Sequence, residues 1–416
     1  MTEEIDWLVG VDWASTEHQV CLMDAAGAVM DERAFPHSGA GLDRLCRWLL
    51  QTTGAQPGSI AVAIEVPHGP VVETLLERGF AVHAINPKQL DRFRDRFTMA
   101  GSKDDRLDAR VLADALRTDR PRLRRLHQLS DEIVALREVS RLVEDLQQER
   151  TRLTNRLREQ LWRYYPQILQ LTDDLGEPWI LALWQQAPTP GKARRIHKAT
   201  VARLLKAHRI RRTDAETVLA TLREPAVGVA PATTEAACRH IKSLIVRLTV
   251  VNRELKQATA ELNRQTEALS AESDTTPGQP VEQRDATILQ SIPGIGPIVL
   301  ATLLAEGSDA LRRRDYHALR SLCGVAPVTK RSGKRLVVVM RQACQIRLRN
   351  AVYHWARVAT QHDAKSRQRY QALRARGHSH ARALRSVGDR LLGVACAMLT
   401  SGETFRSELT EAPQPS

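Results

Sequence analysis

Short apolar runs and helical spacing alternate along the N-terminal stretch. Trp7-Leu-Val-Gly-Val-Asp-Trp13 is an apolar run that reaches an acid near its end. Ile60-Ala-Val-Ala-Ile-Glu-Val66 is a second of the same kind, and both predict buried strands. His18 to Met23 and Ala28 to Ala34 alternate about a turn at Asp24-Ala-Ala-Gly27, which predicts a hairpin. Helical spacing runs through Leu42, Leu45, Trp48 and Leu49, and again from Pro70 to Arg78. Phe80 to Ile85 predicts another strand, and Asn86-Pro87 starts a further helix. Asp104 to Leu116 is amphipathic, with Leu107, Val111, Leu112 and Leu116 on one side. Three consecutive strands followed by strand–helix alternation predict an α/β domain over residues 1–125.

The pattern changes near Ser130. Leu136, Val139, Val143, Leu146, Arg150, Leu153 and Leu157 are spaced alternately three and four apart, a heptad seam in which only Arg150 is polar. Ser130 and Asp131 are N-cap candidates for this long helix. A second seam runs Ile241, Leu244, Leu248, Val251, Leu255, Ala258, Leu262, Gln265 and Leu269. The two helices can pair antiparallel within one chain or between chains. Between them, residues 166–235 read as short helices with proline breaks. The region 126–270 is therefore a helical middle of coiled-coil character. Thr-Thr-Pro-Gly-Gln-Pro marks a linker over 271–285. An all-α domain follows over 286–401, opening with Ser291-Ile-Pro-Gly-Ile-Gly-Pro297 before the apolar helix Ile298 to Leu304. It continues through a loop rich in turn formers and cations, from Leu322 to Arg335. A flexible tail is expected over 402–416.

Composition narrows the class. No run of about 18 apolar residues exists, so no membrane span is expected. Met1 to Trp7 is acidic and lacks the apolar core of a signal peptide. The six cysteines are scattered without metal-ligand spacing, which argues against a zinc site or a disulfide framework and fits a cytoplasmic protein. The net charge is +13, and its distribution says more than its size. From Met1 to Ala115 there are 18 acids against 11 Lys plus Arg, a net of −7. From Arg312 to Arg376 there are 17 Lys plus Arg against two acids, a net of +15. A polyanion is the natural partner of that second stretch.

The acidic N-terminal part would repel such a partner unless a cation neutralised it. Asp12 and Glu65 sit at or near the ends of predicted strands, and Asp105 and Asp108 lie three apart on one helix face. Four converging carboxylates suit Mg²⁺ or Mn²⁺. Asp104 rivals Asp105 on spacing alone. In the C-terminal domain, Gly294 and Gly296 precede a helix N-terminus and make a helix-hairpin-helix-like turn suited to a phosphate. Ser332 stands among Lys330, Arg331, Lys334 and Arg335. Spacing alone makes such a serine more often a phosphate hydrogen-bonder than a nucleophile, and Ser308 and Ser321 are weaker candidates than Ser332 for a nucleophile.

Val9-Gly-Val-Asp12, Ile64-Glu65 and Ser102-Lys-Asp-Asp-Arg-Leu-Asp-Ala-Arg-Val-Leu-Ala113 resemble the DEDD signature of the insertion-sequence one-ten transposases. The last block is similar to that family's Lys-Thr-Asp-x-x-Asp-Ala pattern, with Asp104 in place of the usual Thr and Asp105 and Asp108 as the paired acids. Gly324-Val-Ala-Pro327 followed by Ser332-Gly333 resembles the family's second domain, whose Ser is the nucleophile. The resemblance implies a RuvC-like (RNase H-like) N-terminal domain whose four acids bind Mg²⁺, and a small helical transposase domain. It implies cleavage and rejoining of double-stranded donor and target DNA through a phosphoserine at Ser332. It further implies a homo-oligomer, dimer or tetramer, in which different subunits complete one active site. A bridge-type non-coding RNA and a place near the bacterial nucleoid follow from the same resemblance. Two other readings compete with it. One is a RuvC-like metal-dependent nuclease of the junction-resolvase type, acting by hydrolysis. The other is a non-catalytic DNA-binding protein with structural acids.

Overall fold

The computed structural model describes residues 5–97, 104–271, 281–333 and 335–405. The chain divides into two compact units, Met1–Ser130 and Asp131–Ser416.

The N-terminal unit is a mixed sheet with helices on both faces. Its elements are β1 (Trp7–Asp12), β2 (Glu17–Asp24), β3 (Val29–Pro36), α1 (Gly39–Thr53), β4 (Ile60–Ile64), α2 (Pro70–Glu77), β5 (Ala81–Ala84), α3 (Pro87–Arg94), α4 (Asp105–Asp119) and β6 (Arg124–Arg125). The strand order is β3-β2-β1-β4-β5-β6. The hairpins β1–β2 and β2–β3 are antiparallel, and β1–β4 and β4–β5 are parallel. The arrangement agrees with the three-strand meander and alternating elements expected from the pattern, and is consistent with a DEDD nuclease-like fold. The two-residue strand β6, which pairs antiparallel with β5, was not expected.

The two faces of the sheet carry different side chains. Val9, Val11, Ile60, Val62 and Ile64 face α1 and α2, where Leu42, Leu45, Leu49, Val72 and Leu75 close a core. Each such aliphatic side chain contributes about 1.5–3 kcal/mol when fully buried. The opposite face presents Ala61, Ala63 and Ala81 to α4, which buries Ala109, Leu112, Ala113 and Leu116 there. Small residues let α4 lie close to the sheet. At Gly10 the approach is closest: a Cβ would fall 1.8 Å from the Ala109 carbonyl oxygen and 2.7 Å from the Ala113 nitrogen.

The C-terminal unit is built on two long helices. They are α5 (Asp131–Tyr164) and α10 (Pro231–Ala271), joined through α6 (Pro178–Gln186), α7 (Pro190–Ala193), α8 (Lys198–Ala207) and α9 (Ala215–Leu222). At 1.5 Å per residue, the 34 residues of α5 extend about 51 Å. Of the two expected pairings, the one within the chain is observed. Arg150 bonds Asn252 at 2.8 Å, whereas Tyr164 meets Cys238, so the helices run antiparallel. The expected seam positions Leu136, Val143, Leu153, Leu157, Ile241, Leu244, Leu248 and Leu262 are all buried. Arg150 is polar for a reason. Its guanidinium donates to Asn252 at 2.8 Å and to Asp174 at 2.6 Å, and Asn252 donates on to the Gly176 carbonyl at 2.8 Å.

After α10 come α11 (Val281–Gln290), α12 (Pro297–Glu306), α13 (Ser308–Arg312), α14 (Tyr316–Leu322), β7 (Val328–Ser332), β8 (Arg335–Val339), α15 (Ile346–His362), α16 (Ala364–Ala375) and α17 (His380–Ser401). Of the expected linker, 272–280 lies outside the described residues, and 281–285 is the start of α11. Within the expected tail, 406–416 also lies outside them. The C-terminal domain is not wholly helical. The expected cationic loop contains an antiparallel hairpin, β7–β8, in which Ser332 pairs with Arg335 and Lys330 with Val337.

Candidate active site

Asp12 is the last residue of β1, and Glu65 directly follows Ile64, the last residue of β4. Val11 and Ile64 are partners in the parallel ladder, so the two acids emerge side by side at the same sheet edge. Asp105 and Asp108 belong to the first turn of α4, where the helix N-terminus favours negative charge. Ala109, the residue after Asp108, is the one seated on Gly10, two positions before Asp12. The glycine contact thus sets the start of α4 against the end of β1. Asp104, which rivalled Asp105, is the N-cap: its carboxylate accepts the Arg106 N–H at 3.1 Å. Asp105 itself is exposed. Ser102 and Lys103, which open the motif, lie outside the described residues.

The residue types fit a hard divalent cation, since all four offer carboxylate oxygens. Among the described residues, however, no three His, Cys, Asp or Glu side chains are gathered closely enough to hold a metal ion. One carboxylate is already engaged. Asp108 has a side chain only 3% exposed, and its two oxygens accept from Arg94 Nε at 2.6 Å and Nη2 at 2.8 Å. That hydrogen bonding in turn raises the Arg94 pKa above its ordinary value. Arg94 was not singled out from the sequence. It stands between Arg92 and Arg96 in a stretch that alternates arginines with Phe93 and Asp95, and only the packing of α3 on α4 selects it.

The second set of expected site residues lies in the C-terminal unit. Lys330, Arg331 and Arg335 are on the β7–β8 hairpin, and Arg331 and Arg335 are exposed. Ser332 ends β7, and Lys334 lies outside the described residues. The hairpin had a sequence signal: Ser332-Gly333-Lys334-Arg335 precedes Leu-Val-Val-Val, a turn followed by a β-branched run. The glycine turn behaves differently at its two positions. Gly294 has φ of +88°, and a Cβ there would lie 2.9 Å from the Ala359 nitrogen, so α15 packing accounts for it. Trp355 Nε1 also donates to the Pro293 carbonyl at 3.0 Å. Gly296 is exposed, open, and caps α12 without a side-chain bond.

Comparison with known proteins matches both regions. A transposase profile of the DEDD IS110 type covers residues 9–166. The profile of the transposase IS116/IS110/IS902 family covers residues 286–371. The chain is 62% identical over 217 residues to a Sinorhizobium fredii protein designated as transposase y4uE, a match covering 52% of this chain and 60% of that protein. It is 32% identical to the mini-circle transposase ascribed to IS117 of Streptomyces coelicolor, over 97% of this chain and 96% of the relative. It is 28% identical to the 43.6 kDa protein of insertion element IS110 from the same species, over 98% of this chain. With a near full-length relationship and both profiles in order along the sequence, the chain belongs to the IS110 family of transposases.

Proposed function

We propose that this transposase cuts and rejoins double-stranded DNA through a phosphoserine at Ser332, with Asp12, Glu65, Asp105 and Asp108 holding Mg²⁺ or Mn²⁺. The observation that carries the reading is the register of β1 and β4. It sets Asp12 and Glu65 side by side at one sheet edge, next to the first turn of α4. The bound ions would supply charge stabilisation for phosphoryl transfer. In the reaction, the Ser332 hydroxyl loses its proton and its oxygen bonds to phosphorus. The bond from phosphorus to one sugar oxygen breaks, and that oxygen takes up a proton. One phosphoester replaces another, so the bond energy is kept for rejoining when a second strand's hydroxyl attacks the phosphoserine. Lys330, Arg331 and Arg335 suit the phosphate on which this occurs.

The +15 stretch supports DNA as the substrate, and family resemblance supports a bridge-type RNA as guide and a homo-oligomeric assembly. Hydrolysis by a junction-resolvase-like route would use the same acids and leave Ser332 idle. Incubation of the protein with Mg²⁺, the element's DNA ends and the flanking transcript separates the two. Transesterification gives a protein–DNA adduct that survives denaturation and is absent from Ser332→Ala. Free cut ends without adduct, unchanged in Ser332→Ala, overturn the proposal.

A further inference from the structure

We propose that Arg94 is an internal counterion of the metal site, occupying the Asp108 carboxylate until a divalent cation takes its place. The inference rests on the reading of Asp108 as a metal ligand and adds a residue that acts through it. Asp108 is buried, and an ionised carboxylate in such a place is costly unless paired. Arg94 supplies the pairing with two parallel N–H donors, filling both oxygens. A cation that binds Asp108 must compete with the guanidinium for those oxygens.

Release of Arg94 is inexpensive by comparison. The residue ends α3, where positive charge is favoured, and is itself 20% exposed. It keeps a second partner in Asp91 at 3.0 Å, whose side chain is 67% exposed. Displacement therefore strands no buried charge. Nor is Arg94 the sole ionic tie from this stretch of chain to α4. Arg96 lies 3.6 Å from Asp114 and 3.5 Å from Thr118, further along α4. Arg96 thus provides a control: from the turn that follows α3 it ties to α4 without touching any of the four acids.

The test is Mn²⁺ binding to the chelated full-length protein, followed by the electron paramagnetic resonance signal of free Mn²⁺. Arg94→Met should bind Mn²⁺ about tenfold more tightly than the parent, because no competitor remains on Asp108. Arg94→Lys, with a less suitable donor geometry, should fall between. Arg96→Met should match the parent, and Asp108→Asn should lose the tight site. Without metal, Arg94→Met should melt lower than the parent, and saturating Mn²⁺ should close the gap. Equal or weaker binding in folded Arg94→Met overturns the exchange. So does a parallel gain in Arg96→Met, which would mark a general loosening of α3. If Arg94→Met does not fold, unchanged affinity in Arg94→Lys overturns it. Failure of the parent and all variants to bind Mn²⁺ overturns the metal-site reading together with the exchange, whereas parental binding lost in Asp108→Asn upholds that reading by itself.

Discussion

At the scale of single residues, Asp12 and Asp108 meet the same proposed ion from different settings. Asp12 closes a strand at the sheet edge, while Asp108 is buried and held by Arg94. Loss of an outer partner of a metal site typically costs 10–100-fold in affinity or activity, so loss of a ligand should cost about 100-fold or more. Asp12→Asn and Asp108→Asn should each lower strand cleavage by that factor while retaining DNA binding, measured by gel shift. Normal cutting by either variant removes that residue from the metal site. His83 offers an independent test of the fold around the site. Burial pushes its pKa down to about 4, against 6.5 for the free side chain, while its Nδ1 lies 3.0 Å from the Ala81 carbonyl. The unfolded chain accepts a proton there below pH 6.5 that the folded chain refuses. Stability should therefore decline as pH falls from 6.5 towards 4, by up to about 1.4 kcal/mol per pH unit. His18, also buried and lowered by desolvation, acts in the same direction. Urea denaturation across that range should show a shallower decline in His83→Asn; an unchanged slope contradicts the assignment.

At the scale of elements, the close seat of α4 on β1 links packing to chemistry. A methyl group on Gly10 would collide with the backbone of α4, which no side-chain rotation relieves. Gly10→Ala should cost about 3 kcal/mol, at the upper end for overpacked cores, and should lower cleavage further by displacing the turn that carries Asp105 and Asp108. Thermal melting and the cleavage assay measure the two effects, and a variant that melts and cuts like the parent would contradict the packing argument. These elements were legible in the sequence because each carries a strong period: alternation in β2, continuous apolar runs in β1 and β4, helical spacing in α1 and α4. The long helices were legible by their heptads, although which partner each took was not. β7 was not legible, because Lys330 and Arg331 make a strand read as a cationic loop. β6 was missed because two arginines carry no period at all. Within the candidate site, Asp12 and Glu65 stood out by their positions near strand ends, and Asp105 and Asp108 by their spacing on one helix face. The choice between Asp104 and Asp105 needed the cap geometry, and Arg94 needed the fold of α3 onto α4. The role proposed for Ser332 rests on family resemblance; its spacing suggested only phosphate contact.

At the scale of the whole molecule, charge and chemistry are divided along the chain. The first 115 residues carry a net of −7 and the four acids, while residues 312–376 carry a net of +15 and Ser332. Carboxylates near phosphate require an intervening cation, and a basic stretch attracts the polyanion without one. The division thus suits the proposed metal site in one unit and the proposed nucleophile in the other. No described helix is long and apolar enough to cross a membrane, and all six cysteines are free thiols. The most direct test of this division of labour is the site of covalent attachment. The protein is trapped on its cognate ends with Mg²⁺ and RNA, digested with nuclease and protease, and mapped by mass spectrometry. The expected result is a nucleotide mass on the peptide containing Ser332, absent when Asp12→Asn replaces the parent. A nucleotide on any other residue, or cleavage without attachment, would contradict it.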